Sequence, residues 1–120
     1  MRKLICFLAL AMVVAVGAGC AKDVPIEQVL HADYGEYPEQ YEKIIKDKML
    51  TVLFDPYSAQ YHFDSKPIRK VQSVPFKDPI FGYGGYVLIN AKNRLGGYTG
   101  AKRYNYIIKN GNLIYFNEEY

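Results

Sequence analysis

The sequence predicts an α+β fold, with one N-terminal helix packed on a mostly antiparallel sheet of about four to five short strands. One stretch near residues 38–50 has the apolar spacing of an amphipathic helix. After residue 56, short runs of aromatic and β-branched residues alternate with Gly, Pro and Asn, which is typical of strands and turns. The 120 residues include 12 tyrosines, six phenylalanines and no tryptophan, a composition that favours strands over a helical bundle.

The segment 1–19 has the organisation of a bacterial export signal. Arg2 and Lys3 precede an apolar run over residues 4–16, and three small residues, 17–19, precede Cys20. The segment resembles a lipoprotein signal, in which the cysteine thiol takes a diacylglyceryl group and the chain is cut before it. Gly17 stands where Leu or Val is commoner, and a plain secretory signal with a chance cysteine is the alternative. The predicted organisation is a signal peptide (1–19), a lipidated N-terminus and tether (20–37) and a single domain (38–120).

Anchoring is the role that accounts for Cys20. Cys6 leaves with the signal, so the mature chain has no second cysteine for a disulfide. Each buried methylene of an acyl chain contributes about 0.8 kcal/mol, so two or three chains anchor a protein firmly. Ala21 and Lys22, rather than Asp, follow the cysteine. Resemblance to lipoproteins of two-membrane bacteria then implies the inner leaflet of the outer membrane, facing the periplasm.

The mature chain begins with the predicted tether and two helical segments. Pro25 suits a first helical position, and a short apolar stripe follows it over residues 26–30. The clearer helix runs from Pro38 to about Leu50, with its apolar residues on one face. Glu42 and Lys46 form a favourably oriented i,i+4 pair. We expect this helix to cover one side of the sheet.

Five strands are predicted near residues 59–63, 69–74, 85–92, 102–109 and 112–117. Asn110-Gly111 between the last two is a strong signal for a two-residue hairpin, because that turn needs positive φ at both positions. The pattern does not decide which sheet face is buried. Pro79–Tyr86 is interpreted either as a flexible turn leading into the central strand or as an aromatic lip that could stack on sugar rings.

Charge is unevenly distributed along the mature chain. Without Arg2 and Lys3 its formal charge is close to zero, which is not the balance of a nucleic-acid-binding protein. Residues 20–64 carry nine acids and four lysines, whereas residues 65–120 carry nine basic residues and three acids. Either the two halves neutralise each other, or the second half presents a basic face to anionic lipid or to a polyanionic envelope polymer. The basic face would comprise Lys66, Arg69, Lys70, Lys92, Arg94, Lys102 and Arg103.

The stretch from Asn90 to Gly100 is the most unusual in the chain. It is either a structural loop that needs glycine or a recognition loop in which consecutive amides form an anion-binding nest. In the second case cationic side chains would add charge and a tyrosine would add a stacking surface. The candidate binding residues are Asn90, Lys92, Asn93, Arg94, Gly96, Gly97, Tyr98 and Thr99.

Two motifs carry a family resemblance. Asp55-Pro56-Tyr57-Ser58-Ala59-Gln60-Tyr61 is followed by Asn90-Ala91-Lys92-Asn93 and by Gly96-Gly97-Tyr98-Thr99-Gly100. Over roughly residues 53–116 the chain resembles a group of small bacterial and prophage-borne envelope lipoproteins and exported proteins. The resemblance implies an envelope location and no assigned activity. Such proteins often carry a cysteine before the Asn-Ala-Lys-Asn motif, where this chain has none.

No catalytic cluster or metal-ligand motif is evident in the sequence. His31 and His62 lack neighbouring groups at catalytic spacing, and no nucleophile elbow, zinc-binding or Cys-x-x-Cys motif occurs. We therefore predict a non-enzymatic protein without cofactor or metal. The predicted function is a lipid-anchored, periplasm-facing binding module, whose partners are the membrane and an envelope protein or anionic polymer. The alternatives are a superinfection-exclusion lipoprotein acting on an outer-membrane receptor and a structural subunit of an envelope assembly.

Overall fold

A computed structural model describes residues 23–120. It contains two α-helices and five strands, and a single 3-10 turn, Pro56–Ser58, precedes the first strand. The elements are α1 (Ile26–His31), α2 (Tyr41–Val52), β1 (Gln60–Phe63), β2 (Ile68–Gln72), β3 (Ile80–Asn90), β4 (Lys102–Lys109) and β5 (Asn112–Glu119). The antiparallel five-stranded sheet with helices confirms the α+β class. The predicted signal peptide and Cys20 lie outside the described residues.

The long strand β3 organises the sheet. On one edge it pairs with both β1 and β2, which lie end to end against its second and first halves. On the other edge it pairs with β4, and β4 pairs with β5 at the outside of the sheet. Asn110 and Gly111 connect β4 to β5 with φ values of 50° and 78°, which confirms the predicted hairpin turn.

Helix α2 covers one face of the sheet and forms the core there. Ile45 and Met49, four residues apart on the helix, are fully buried against β3 and β4. The sheet contributes Val87, Ile89, Tyr106 and Ile108 to this cluster. These contacts define a helical face and, on the other side of the sheet, an open face.

Residues 80–86 of the glycine-rich stretch 79–86 form the first seven residues of the 11-residue strand β3, which corrects the interpretation of this stretch as a flexible turn. Strand β3 begins at Ile80, well before the predicted start at residue 85. Ile107 of β4 lies across Gly82 on the open face, and a Cβ atom at Gly82 would lie 2.5 Å from the Ile107 Cγ2 atom. A Cβ atom at Gly84 would collide with the Tyr106 carbonyl oxygen. These glycines therefore make room for β4 rather than bend the chain.

The segment before α2 packs on the sheet, whereas the sequence predicts a tether over residues 20–37. Tyr34 is buried and contacts Phe81 edge to face at 5.7 Å between ring centroids. Tyr37 makes the same kind of contact with Tyr83 at 5.3 Å. Aromatic edge-to-face pairs stabilise by about 0.5–1.5 kcal/mol beyond the buried area. The folded domain therefore begins before residue 38.

Candidate functional site

The loop after β3 is closed by Asn93. Its backbone amide donates to the Gly97 carbonyl at 2.9 Å, and its own carbonyl accepts from the Gly96 amide at 3.0 Å. Its side-chain oxygen accepts from the amides of Leu95 and Gly97 at 2.9 and 3.3 Å. Asn side chains commonly bond nearby backbone groups in this way. Because both glycine amides donate within the loop, the predicted anion-binding nest at Gly96-Gly97 is not formed.

Ser58 connects this loop to the 3-10 turn through hydrogen bonds. Its hydroxyl oxygen accepts from the Lys92 amide at 2.9 Å and donates to the Asp55 carbonyl at 2.7 Å. The Tyr98 hydroxyl donates to the Ser58 carbonyl at 3.0 Å. Lys92 and Tyr98 also form an isolated antiparallel bridge. The 55–61 segment and the stretch from Asn90 to Gly100 therefore meet in space and hold each other in place.

The joined turn and loop expose large apolar side chains together with cations. We call the following six residues the loop surface: Phe54, Tyr57, Lys92, Arg94, Leu95 and Tyr98. Leu95 and Tyr57 are 94% and 92% exposed. Arg94 lies over the Phe54 ring at 5.6 Å from the centroid, and Lys92 lies over the Tyr98 ring at the same distance. Such cation–π pairs hold the charges beside the rings while leaving both accessible.

A cleft of about 240 Å³ lies at the base of the loop surface. Its walls come from the end of α2, the end of β3, the loop and the start of β4. Among the predicted binding residues it brings together Lys92, Asn93 and Thr99, and it adds Lys102 from the predicted basic face. The Asn90 side-chain oxygen is buried, and no hydrogen-bond partner for it exists among the described residues.

The predicted basic face is divided between the two faces of the sheet. Arg69 lies on the helical face, where its guanidinium is 5.4 Å from the Tyr34 ring centroid. Lys70, the next residue, reaches Tyr86 on the open face. Lys102 and Arg103 separate in the same way, because successive side chains of a strand point to opposite faces. Lys66 lies exposed between β1 and β2. Adjacent basic residues in strands therefore do not form one basic surface here.

Two of these cations meet on the open face in a cluster with internal partners. The cluster comprises Lys70, Tyr86, Arg103, Asn105 and Glu119. Lys70 and Arg103 lie over the Tyr86 ring at 4.1 and 3.8 Å from its centroid. Asn105, only 4% exposed, accepts a hydrogen bond from the Lys70 ammonium and donates one to Glu119 at 3.1 Å. Burial lowers the pKa of Lys70, and the Glu119 carboxylate opposes that shift.

The described residues include no group of three or more side chains that could hold a metal ion. His62 lies beside Asp64, with 3.7 Å between Nε2 and Oδ1, on the exposed side of β1. The Ser58 hydroxyl is engaged with backbone groups of its own turn and of the loop. These arrangements do not assemble a nucleophile, a base and an orienting acid within residues 23–120.

Phe54 and Ser58 are site residues that sequence pattern alone does not select. Phe54 follows the end of α2 and reaches the loop only through the fold. Ser58 belongs to the Asp55-Pro56-Tyr57-Ser58 motif, in which Asp, Pro and Ser are common turn residues. That motif signals a turn, but its pairing with a loop far along the chain cannot be read from local pattern.

No known protein family, curated protein or solved structure matches this chain. Within residues 23–120, neither helix has the length and apolar character needed to cross a bilayer.

Proposed function

We propose that the protein is a lipid-anchored binding module of the bacterial cell envelope. It is attached through Cys20 after removal of residues 1–19, faces the periplasm and recognises a partner protein with the loop surface. The observation that carries the proposal is this rigidly held surface, where exposed aromatic and aliphatic side chains stand beside Lys92 and Arg94.

The position of the loop surface within the fold supports the proposal. The described chain starts at Asp23 beside the β2–β3 turn, since Asp23 and Lys77 line the same cavity. The β2–β3 turn lies at the first residue of β3, Ile80, and the loop surface lies at its last residue, Asn90. The first and last residues of this 11-residue strand are ten steps of about 3.3 Å apart, a distance of about 33 Å. An acyl anchor just before Asp23 would therefore leave the loop surface at the opposite end of the domain, free to reach a partner.

The chemistry of the loop surface favours an acidic, partly apolar protein surface as its partner. Contiguous exposed apolar groups mark interaction sites, and aromatic residues and Arg dominate binding energy at interfaces. Asn93 and Ser58 fix the loop through hydrogen bonds before binding, so little conformational entropy is lost when a partner docks. Lys92 and Arg94 would pair with carboxylates at the edge of such an interface.

Anchoring is tested by labelling cells with radioactive palmitate and separating membranes from soluble extract. We expect label and membrane location in the wild-type protein and neither in Cys20→Ser, because the thiol is the site of acylation. An unlabelled wild-type protein would contradict the anchoring part of the proposal.

Partner binding is tested with a photoreactive phenylalanine analogue placed at Leu95 in intact cells. The control carries the analogue at Lys43, an exposed position in the first turn of α2, whereas the loop surface lies beyond the last turn. We expect a defined protein adduct from position 95 only. Adducts only with peptidoglycan or lipid, or equal adducts from both positions, would contradict recognition of a protein.

The charge contribution is tested in the same strain. Lys92→Ala with Arg94→Ala should reduce the adduct at least tenfold while keeping the loop, because Lys92 bonds Ser58 through its backbone amide. Lys66→Ala with Lys77→Ala removes the same amount of positive charge at two exposed positions outside the loop surface and should leave the adduct unchanged. Equal losses from both pairs would show that net charge, rather than the loop surface, controls binding.

A further inference from the structure

The turn between β2 and β3 holds a phenylalanine fully in solvent. Phe76 is completely exposed and has a φ of 60°, in the left-handed region that non-glycine residues rarely adopt. The Lys77 amide donates to the Val74 carbonyl at 3.2 Å and closes the turn below it. Exposing a phenylalanine at a tight turn forfeits the favourable free energy of burying its ring. A surface outside the domain that covered the Phe76 ring would recover this free energy.

More apolar surface lies at the same end of the domain. A cavity of about 650 Å³ separates this turn from the start of α1, with Pro25 and Phe76 on its two sides. Helix α1 buries none of its residues. Ile26 and Leu30, one helical turn apart on α1, are each 67% exposed. We call Ile26, Leu30 and Phe76 the apolar pole.

We propose that the apolar pole rests on the lipid surface and that Phe76 inserts into the membrane interface. This inference rests on the proposed acylation of Cys20. Asp23 is three positions beyond Cys20, and consecutive Cα atoms are about 3.8 Å apart, so the chain between them reaches at most about 11 Å. An acyl anchor therefore keeps the start of α1 beside the bilayer, where exposed apolar side chains would otherwise face water.

Membrane contact at this pole would fix the orientation of the domain. The acyl anchor and Phe76 would attach the domain at separate points, and aromatic side chains are favoured at the membrane interface. Two attachments restrict tumbling and hold the loop surface on the side away from the lipid. Lys77 and Asp78 follow Phe76 and offset each other, so the contact should not require anionic lipid.

The absence of tryptophan from the chain allows a direct test. Phe76→Trp and the matched control Leu95→Trp each introduce one fluorophore at a fully or almost fully exposed site, at opposite ends of the domain. The acylated proteins are reconstituted into phosphatidylcholine vesicles, with and without bromine on the acyl chains. Flotation of the vesicles reports anchoring separately from fluorescence.

We expect brominated lipid to quench the Phe76→Trp protein at least twofold and to leave the Leu95→Trp protein unquenched, with the same result when phosphatidylglycerol is added. A Phe76→Trp protein that floats with vesicles but is as unquenched as the control would overturn the membrane contact and leave anchoring intact. Equal quenching of both variants would overturn the proposed orientation. Protein that fails to float would overturn the anchoring proposal, and this inference with it.

Discussion

Replacing Ser58 with alanine should loosen the loop surface without dismantling the domain. The side chain makes two hydrogen bonds, accepting from the Lys92 amide at 2.9 Å and donating to the Asp55 carbonyl at 2.7 Å. A hydrogen bond between neutral groups contributes a net stability of about 0.5–1.5 kcal/mol. Because Ser58 is only half-buried, water can replace part of this, and we expect Ser58→Ala to lower the free energy of unfolding by about 1–2 kcal/mol.

Two measurements check this expectation. Urea unfolding followed by far-ultraviolet circular dichroism gives the global loss, and amide hydrogen exchange should show faster opening at Lys92. A loss of about 1.4 kcal/mol corresponds to a tenfold change in the opening equilibrium. The control Tyr98→Phe removes only the exposed hydroxyl bond to the Ser58 carbonyl and should cost about 0.5 kcal/mol. A Ser58→Ala protein as stable as wild type to within about 0.5 kcal/mol, with unchanged exchange at Lys92, would refute the role of Ser58.

Three other expectations concern the core and the sheet. The Tyr106→Phe protein should unfold at an equal or higher urea concentration than wild type, with a gain in stability of up to about 1 kcal/mol, because the buried Tyr106 hydroxyl has no hydrogen-bond partner among the described residues. A clear loss of stability would show that the hydroxyl does have a hydrogen-bond partner. Burial raises the pKa of Tyr106, so above pH 10 the unfolded state binds fewer protons than the native state and stability falls as pH rises. Tyr106→Phe should accordingly move the midpoint of alkaline unfolding to higher pH, as followed by circular dichroism. Gly84→Ala should lower the free energy of unfolding by more than about 2 kcal/mol in thermal denaturation, because the new methyl group would collide with the Tyr106 carbonyl oxygen. The control Gly97→Ala, which has no atom within 4 Å of the new methyl group, should change it by less than about 0.5 kcal/mol. Equal effects of the two substitutions would contradict this placement of β3.

Local pattern predicted those elements that depend on local energetics. The helix expected from Pro38 to Leu50 is found at Tyr41–Val52, and the strand expected at 102–109 has those bounds. The Asn110-Gly111 turn was predictable because its dihedral angles exclude most other residues. Each of these features is specified by neighbours within a few positions of the chain.

Features that depend on distant residues were not predictable in this way. Gly82 looks like a turn former until Ile107, on the neighbouring strand β4, is seen to occupy the space above it. Tyr34 falls within the predicted tether because its partner, Phe81, comes from the central strand. The predicted basic face failed for a different reason, since strand alternation alone separates Lys102 from Arg103. That separation could have been read from the predicted strand itself.

Strands β1 and β2 share one edge of β3, and this arrangement limits self-association of the protein through its sheet. Strands with free edges can pair with other copies, and short edge strands limit that risk. Here one boundary of the sheet is divided into a four-residue and a five-residue strand, so neither offers a long template for a neighbouring chain. The opposite boundary is strand β5, where the register with β4 skips Ile114, because Ile107 pairs with Tyr115 and Ile108 pairs with Leu113. This strand ends in two glutamates, Glu118 and Glu119. Copies that share a bilayer surface, as the proposed anchoring implies, would then remain separate molecules rather than join into a continuous sheet.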